Sequence, residues 1–330
     1  MLSRRSLLQH LAIAAAAGGA LNVARARAAA GDYPSRPIKI IATYQPGGTN
    51  DIMARLAADI WSKALDVPVT VENRPGGNGS LGTSLVAHAK ADGYTLLAGT
   101  FGPVTVLPTL TPDIGYDPLK DLAPVGILAT APNVIIVHPS LPATTLPEFI
   151  ALAKARADNP FRFGVVPGGT PEFLVEVFKT ATGITLVNVP YKGGTSALND
   201  LIGNHIDFYI DNVPLVLPQI RGGTVRALAL ASPTRSPVLP EVPTTVELGY
   251  PDAVILPWHG ILAPGGTPEP IIALLNAKLV EALRTPPVIE RITSQGASVV
   301  ANSPAEFAAF LKAEVPRWAQ VIRTSGLTAR

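Results

Sequence analysis

The sequence contains no cysteine. That excludes a disulfide framework, a catalytic thiol, a thiolate metal site and lipid attachment at a cysteine. Charge is also sparse: Asp, Glu, Lys and Arg make up 15% of the 330 residues, against about a quarter in ordinary soluble chains. No Lys/Arg cluster suits a phosphate backbone, so nucleic acid is not an expected partner. The histidines after the N-terminal segment, His88, His138, His205 and His259, are scattered. None stands at His-x₃-His or His-Glu-x-x-His spacing, so neither a metal nor another cofactor is expected. His259, beside Trp258, could reach a pocket, though a structural role is the commoner one. There is no Walker A sequence and no G-x-S-x-G elbow. With no nucleophile–base pair and no metal set, the chain does not read as an enzyme.

What is present is apolar and proline-rich. Hydrophobic residues make up 47% and prolines number 33. Such a chain is not disordered, and its length suits two domains. Residues 1–28 read as a secretory signal peptide: a basic start, an Ala-rich apolar middle and small residues at the end. Ser3-Arg4-Arg5-Ser6-Leu7-Leu8 fits the twin-arginine pattern. Cleavage is expected between residues 28 and 30. A membrane anchor is the competing reading. The run is mostly Ala, holds Gln9, His10 and Asn22, and is about as short as a span can be. Four of the 26 basic residues, and no acid, lie in this segment. The remainder carries 22 basic and 24 acidic groups, a net of −2.

Beyond the leader, β-rich runs alternate with amphipathic segments, which predicts parallel sheets covered by helices. Ile38–Ala42, Val67–Glu72, Tyr94–Ala98, Val125–Leu128 and Val134–Val137 read as strands. Arg162–Val165, Thr185–Val189, Ile206–Ile210 and Val225–Leu230 do as well. Ile52, Leu56 and Ile60 mark one face of a first helix. Residues after 268 are mostly helical. A strand, a Gly-rich loop and a helix follow one another at Gly47-Gly48, and again in "VVPGGTPEF", Val165–Phe173. Open α/β sheets bind ligands at the carboxyl ends of their strands, and a helix N-terminus there favours an anion.

Other motifs have plainer readings. Gly77-Asn78-Gly79-Ser80-Leu81-Gly82 satisfies G-x-G-x-x-G, but the next strand ends in Gly99-Thr100-Phe101 rather than in an acid. The turn therefore reads as close helix packing, not as a dinucleotide site. Asp211-Asn212 ends a strand before Pro214 and either caps the next helix or contacts a ligand. Phe101 and Phe173 each stand beside a candidate loop, either as core residues or as rings facing a ligand.

Several stretches in order, "PGGTNDIMARLAADI", "VTVENRPGGNGSLG", "ADGYTLLAGT", "VPYKGGTSALNDLIGNHIDF" and "GILAPGGTPEPIIALLNAKL" among them, closely resemble the Bordetella uptake gene family. Its members are the periplasmic solute receptors of tripartite tricarboxylate transporters. The resemblance runs from Asp32 to about Leu327. It implies an α/β type II periplasmic binding protein: two lobes, each a mostly parallel sheet covered by helices, hinged around a cleft. Lobe 1 would comprise residues 31–132 and 251–330, and lobe 2 residues 133–250. The resemblance further implies capture of a small carboxylate by backbone N–H groups, hydroxyls and bridging waters, without an Arg clamp. It also implies a monomer that delivers its ligand to membrane permease subunits. A periplasmic sensing subunit is the alternative.

Position by position, the resemblance carries over Tyr44, Gln45, Pro46, Gly47, Gly48 and Thr49, with Asp51, as a first ligand loop. Thr100, Phe101 and Gly102 form the second. In lobe 2 it carries over Gly168, Gly169 and Thr170 after Pro167, then Phe173, Tyr191, Asp211 and Asn212. Two departures stand out. A polar residue often replaces Phe101 in the family, and a Gly-Asn-Gly-Thr-like loop followed by His often replaces Pro167–Thr170 and Phe173. Both move the expected pocket toward apolar contacts and away from a simple four-carbon diacid.

Overall fold

The computed structural model describes residues 33–167 and 169–325. The expected leader, residues 1–28, and Gly168 lie outside the described residues. The strands are β1 Ile38–Ala42, β2 Val69–Asn73, β3 Thr95–Thr100, β4 Leu122–Thr130, β5 Asn133–Val137 and β6 Phe161–Val165. They continue with β7 Leu186–Pro190, β8 Phe208–Asn212, β9 Arg226–Ala231, β10 Trp258–Pro264 and β11 Ser298–Val299. The α-helices are α1 Thr49–Leu65, α2 Ser80–Ala87, α3 Leu107–Leu110, α4 Leu146–Ala155 and α5 Thr170–Thr182. After them come α6 Gly194–Ile202, α7 Val213–Arg221, α8 Glu269–Leu283, α9 Pro286–Thr293 and α10 Pro304–Ser325.

These strands build two sheets. One has six strands in the order β11-β4-β10-β3-β1-β2, the other five in the order β7-β6-β8-β5-β9. Helices cover both, so the α/β class is as expected. The pairing, however, is mixed. β1 runs parallel to β2 and β3, while β10 lies antiparallel between β3 and β4. β6 runs parallel to β7 and β8, while β5 lies antiparallel between β8 and β9. The reason is connectivity. The chain leaves the first sheet at β4 and enters the second at β5 after only Ala131 and Pro132, and β10 later brings it back. Each crossing inserts a strand that belongs to no helix-linked parallel unit. β10 carries no strand assignment in the sequence reading.

Local chemistry explains the helix that faces the cleft. α1 buries Met53, Leu56, Ile60 and Trp61 against the first sheet. The Trp61 indole donates to the Leu275 carbonyl at 3.0 Å, tying α1 to α8. Gly82 of α2 sits where a Cβ would lie 3.1 Å from the Arg74 carbonyl and 3.2 Å from the Thr43 methyl. The glycine pattern there serves close helix packing, as the plainer reading held. One core cluster spans both sheets, and aromatic rings join it: Phe101 lies 4.8 Å from Trp318 and 6.3 Å from Phe173, centroid to centroid. Trp318, on α10, is 5.9 Å from Phe173.

Candidate functional site

A cleft opens between the two sheets at the carboxyl ends of β1, β3 and β8. Its space not filled by atoms, open mouth included, is about 600 Å³. The first-sheet side is lined by Tyr44, Gly48, Thr49, Asn50, Thr100, Phe101, Gly102, Pro257 and His259. Val166, Gly169, Thr170, Pro171, Gly194, Asp211, Asn212 and Leu215 line the other. None of these is Lys or Arg.

Three helices begin at this cleft: α1 after Gly48, α5 after Gly169 and α7 after Asn212. None of these N-caps makes a side-chain capping bond. Pro171 and Pro214 carry no N–H, the Glu172 N–H donates to the Gly169 carbonyl and the Val213 N–H to the Pro132 carbonyl. α1 therefore offers the fullest set of first-turn N–H groups, and its dipole makes that end an attractive place for negative charge. The Thr49 hydroxyl is buried without a hydrogen-bond partner among the described residues. The cap alternative for Asp211-Asn212 therefore does not hold. The Asn212 amide instead donates to Asn133 Oδ1 at 2.7 Å.

Asn133 organises this floor. It is fully buried at the start of β5, and its amide donates to the Ile255 carbonyl at 3.1 Å, binding the two crossover segments together. The Ala131 N–H adds a bond of 3.1 Å to the Pro257 carbonyl. On the first-sheet side Asn50 plays the corresponding part. Its Oδ1 accepts from the Thr43 N–H at 3.1 Å, and its Nδ2 donates to the Ala98 carbonyl at 2.8 Å. That pins the start of α1 to the ends of β1 and β3. Neither asparagine was singled out from sequence.

Asp211 is the acid of the cleft. It accepts a short bond from the Tyr209 hydroxyl and one of 2.6 Å from the Asn212 N–H. Burial pushes its pKa up to about 6, against these two bonds, which favour the charged form. Burial, and then the Asp211 charge across the cleft, push the Tyr44 phenol far above its ordinary range. The Tyr44 hydroxyl donates to the Asn78 carbonyl at 3.2 Å. His259 is 3% exposed, and burial lowers its pKa to about 4, leaving it neutral.

Of the residues expected from sequence, the cleft brings together Tyr44, Gly48, Thr49, Thr100, Phe101, Gly102, Gly169, Thr170, Asp211 and Asn212. The other described ones lie elsewhere. Asp51 turns back to its own loop, accepting from Gly47 N–H at 3.0 Å, Arg55 Nε at 2.9 Å and Asn73 Nδ2 at 2.8 Å. Burial opposes its charge, but bonds from Arg55, Gly47 and Asn73 outweigh this and hold the carboxyl below the usual range. Tyr191 donates to Asp200 at 2.6 Å, and burial followed by that carboxylate pushes its phenol up to about 12. Phe173 packs against Phe101 and Trp318 and does not line the cleft, so a paired apolar wall of Phe101 and Phe173 does not form. Gln45, Pro46 and Gly47 sit at the rim: Gln45 accepts from the Ser196 hydroxyl, and the Thr195 hydroxyl reaches the Pro46 carbonyl at 3.4 Å. Among the described residues, no group of three His, Asp or Glu could hold a metal ion.

Comparison with known proteins agrees with this architecture. The tripartite tricarboxylate transporter family receptor, TctC, matches residues 53–327. Protein BugT of Bordetella pertussis is 41% identical over 296 residues, covering 89% of this chain and 90% of BugT. The structure of Rhodopseudomonas palustris Rpa4515 with adipate superposes with a TM-score of 0.87 at 34% identity, covering 90% of this chain and 99% of that one. MatC (Rpa3494) from the same organism, with bound malate, gives 0.82 at 32% identity, covering 88% and 100%. The matched family is described as a transporter receptor, a non-enzymatic role. This chain, with its cleft between two α/β sheets, belongs to the TctC family of periplasmic receptors of tripartite tricarboxylate transporters.

Proposed function

We propose that the protein captures a small carboxylate between two lobes and delivers it to the membrane permease subunits of a tripartite tricarboxylate-type transporter. One observation carries this reading. Three helix N-termini without side-chain caps open on one cleft that no Lys or Arg lines. Such a cleft suits an anion held by N–H groups and hydroxyls, since charge-assisted bonds from several donors can replace an ion pair. Thr49, Thr170 and Asn212, with the backbone at Gly48, Gly102 and Gly169, would hold the carboxylate oxygens, while the Thr100 hydroxyl already donates to the Trp258 carbonyl at 3.0 Å. Tyr44 and Phe101 would flank the ligand.

Lobe 1, residues 31–132 with 251–330, and lobe 2, residues 133–250, would close by bending the crossover segments near Pro132 and Pro251. The leader, with Arg4-Arg5 and its Ala-rich run, would export the chain to the periplasm as a monomer. The relatives with adipate and malate make dicarboxylates the first candidates. The test is a thermal-shift titration of the mature protein with malate, succinate and adipate. A ligand at 100 times its dissociation constant should add about 2.7 kcal/mol. If no carboxylate moves the melting temperature, the reading is wrong.

A further inference from the structure

We infer that His259 is a ligand-contacting residue, whose imidazole donates one ring N–H to an oxygen of the bound carboxylate. The inference rests on the carboxylate-receptor reading above and assigns a specific donor to it.

Position comes first. His259 is the second residue of β10 and pairs with Thr100, the last residue of β3. It lines the cleft together with Thr49, at the start of α1. Trp258, its neighbour, instead packs on Phe307 and Phe310 of α10, as alternation along a strand requires.

Hydrogen bonding comes second. Neither ring nitrogen of His259 has a partner among the described residues, although the ring is 3% exposed. The other described histidines differ. His88 meets the Ser84 carbonyl at 2.8 Å, His138 the Ser140 hydroxyl at 2.7 Å, and His205 the Asp200 carboxylate at 3.5 Å. A buried polar group left unpaired is costly, and a merely space-filling site would be better served by an apolar side chain. The Thr49 hydroxyl is buried and unpartnered in the same cleft. Two unpaired polar side chains thus meet an uncapped helix N-terminus, the arrangement that an anion with several acceptor oxygens satisfies.

Charge state comes third. Burial holds the imidazole neutral, so one nitrogen carries a proton and the other accepts. A neutral donor spares the cleft an uncompensated buried cation when it is empty. The titratable groups that share the cleft are Tyr44 and Asp211, and on α1 Asp51 is already paired with Arg55. An incoming carboxylate could therefore draw on the His259 N–H without competition from a neighbouring cation.

The test uses ¹⁵N-labelled mature protein and long-range proton–nitrogen spectra of its imidazoles, titrated with malate, succinate and adipate. With the acid that binds, the His259 ring nitrogens should shift into one hydrogen-bonded tautomer while those of His88 and His138 stay put. His259→Phe should lower affinity for that acid at least tenfold, and His259→Gln, which keeps an N–H, should recover part of the loss. If His259→Phe does not fold, the wild-type spectra decide alone. If an acid binds while the His259 nitrogens do not move, His259 is no contact and the receptor reading stands. If none of the acids binds, both fall.

Discussion

Ser196 Oγ donates to Gln45 Oε1 at 2.7 Å, joining the start of α6 on the second sheet to the loop after β1 on the first. With the Thr195–Pro46 contact beside it, it latches the rim of the cleft. A latch of this kind favours the closed arrangement by about 1 kcal/mol, the net worth of one hydrogen bond. Ser196→Ala should therefore weaken carboxylate binding about fivefold, chiefly through faster release, as stopped-flow dissociation would measure. An unchanged release rate would show that the latch forms without holding the two sides of the cleft together.

Gly194 is required by close approach. A Cβ there would collide with the Asp211 carboxylate and lie 2.8 Å from the Leu215 side chain and 3.1 Å from the Tyr209 hydroxyl. Gly194→Ala should displace Asp211 and weaken binding at least tenfold, with a stability cost as well, because Leu215 and Tyr209 are buried core residues. Calorimetric titration alongside a melting curve separates the two effects. Gly47 has φ +82°, a left-handed conformation, so Gly47→Ala should cost roughly 1 kcal/mol of stability.

Asp211 makes a prediction about pH. Its folded pKa, near 6, lies above the unfolded value of about 3.9. The folded state therefore prefers the protonated carboxyl. The resulting penalty is absent below pH 4, grows between pH 4 and 6, and is full above 6, where it amounts to roughly 3 kcal/mol. Asp211→Asn should be more stable than the wild type at pH 7 and equal to it at pH 4. Urea unfolding at pH 4, 5, 6 and 7 measures this difference. A constant gap would mean that Asp211 does not titrate in this window.

His259 works in the opposite direction on the pH scale. Its folded pKa, near 4, lies below the unfolded value of about 6.5. The unfolded chain takes up the proton first, so stability is lost as pH falls from 6.5 toward 4. His259→Gln should flatten the decline of stability over that interval relative to the wild type.

Phe101 and Phe173 divide two roles. Phe101 lines the cleft, whereas Phe173 does not, and both rings meet Trp318. Phe101→Ala should change the preference order among succinate, adipate and longer acids. Phe173→Ala should leave that order intact and cost about 3–5 kcal/mol of stability, as large core truncations do. Competition titrations and unfolding curves on the two variants check this. If Phe173→Ala reorders the ligands, the ring reaches the cleft after all.

The strand runs and the glycine loops were legible because they are local signals: hydrophobic alternation, and glycine before a helix start. β10 was not legible. Its strand, Trp258–Pro264, contains a glycine and ends in proline within a stretch that leads into helices. Asn50 and Asn133 escaped notice because a single asparagine beside an apolar run gives no pattern, and each earns its place through partners 48 and 122 residues away. Asp51 was expected at the cleft because the resemblance carried it over, yet its place at the helix start lets its carboxylate reach back to its own loop at Gly47. Tyr191 and Phe173 stand close in sequence to cleft residues, but their partners, Asp200 and Trp318, take their side chains away from the cleft.

The absence of Lys and Arg from the cleft lining bears on traffic as well as on affinity. Dipolar charge at helix ends fades within about one turn, so an approaching acid feels little pull until it is almost inside. Capture should then be an unsteered encounter, with an association rate nearly indifferent to ionic strength. Departure, in turn, breaks no ion pair. On the proposed function, delivery to a membrane partner would gain from this, because opening the rim would be enough to let the acid go.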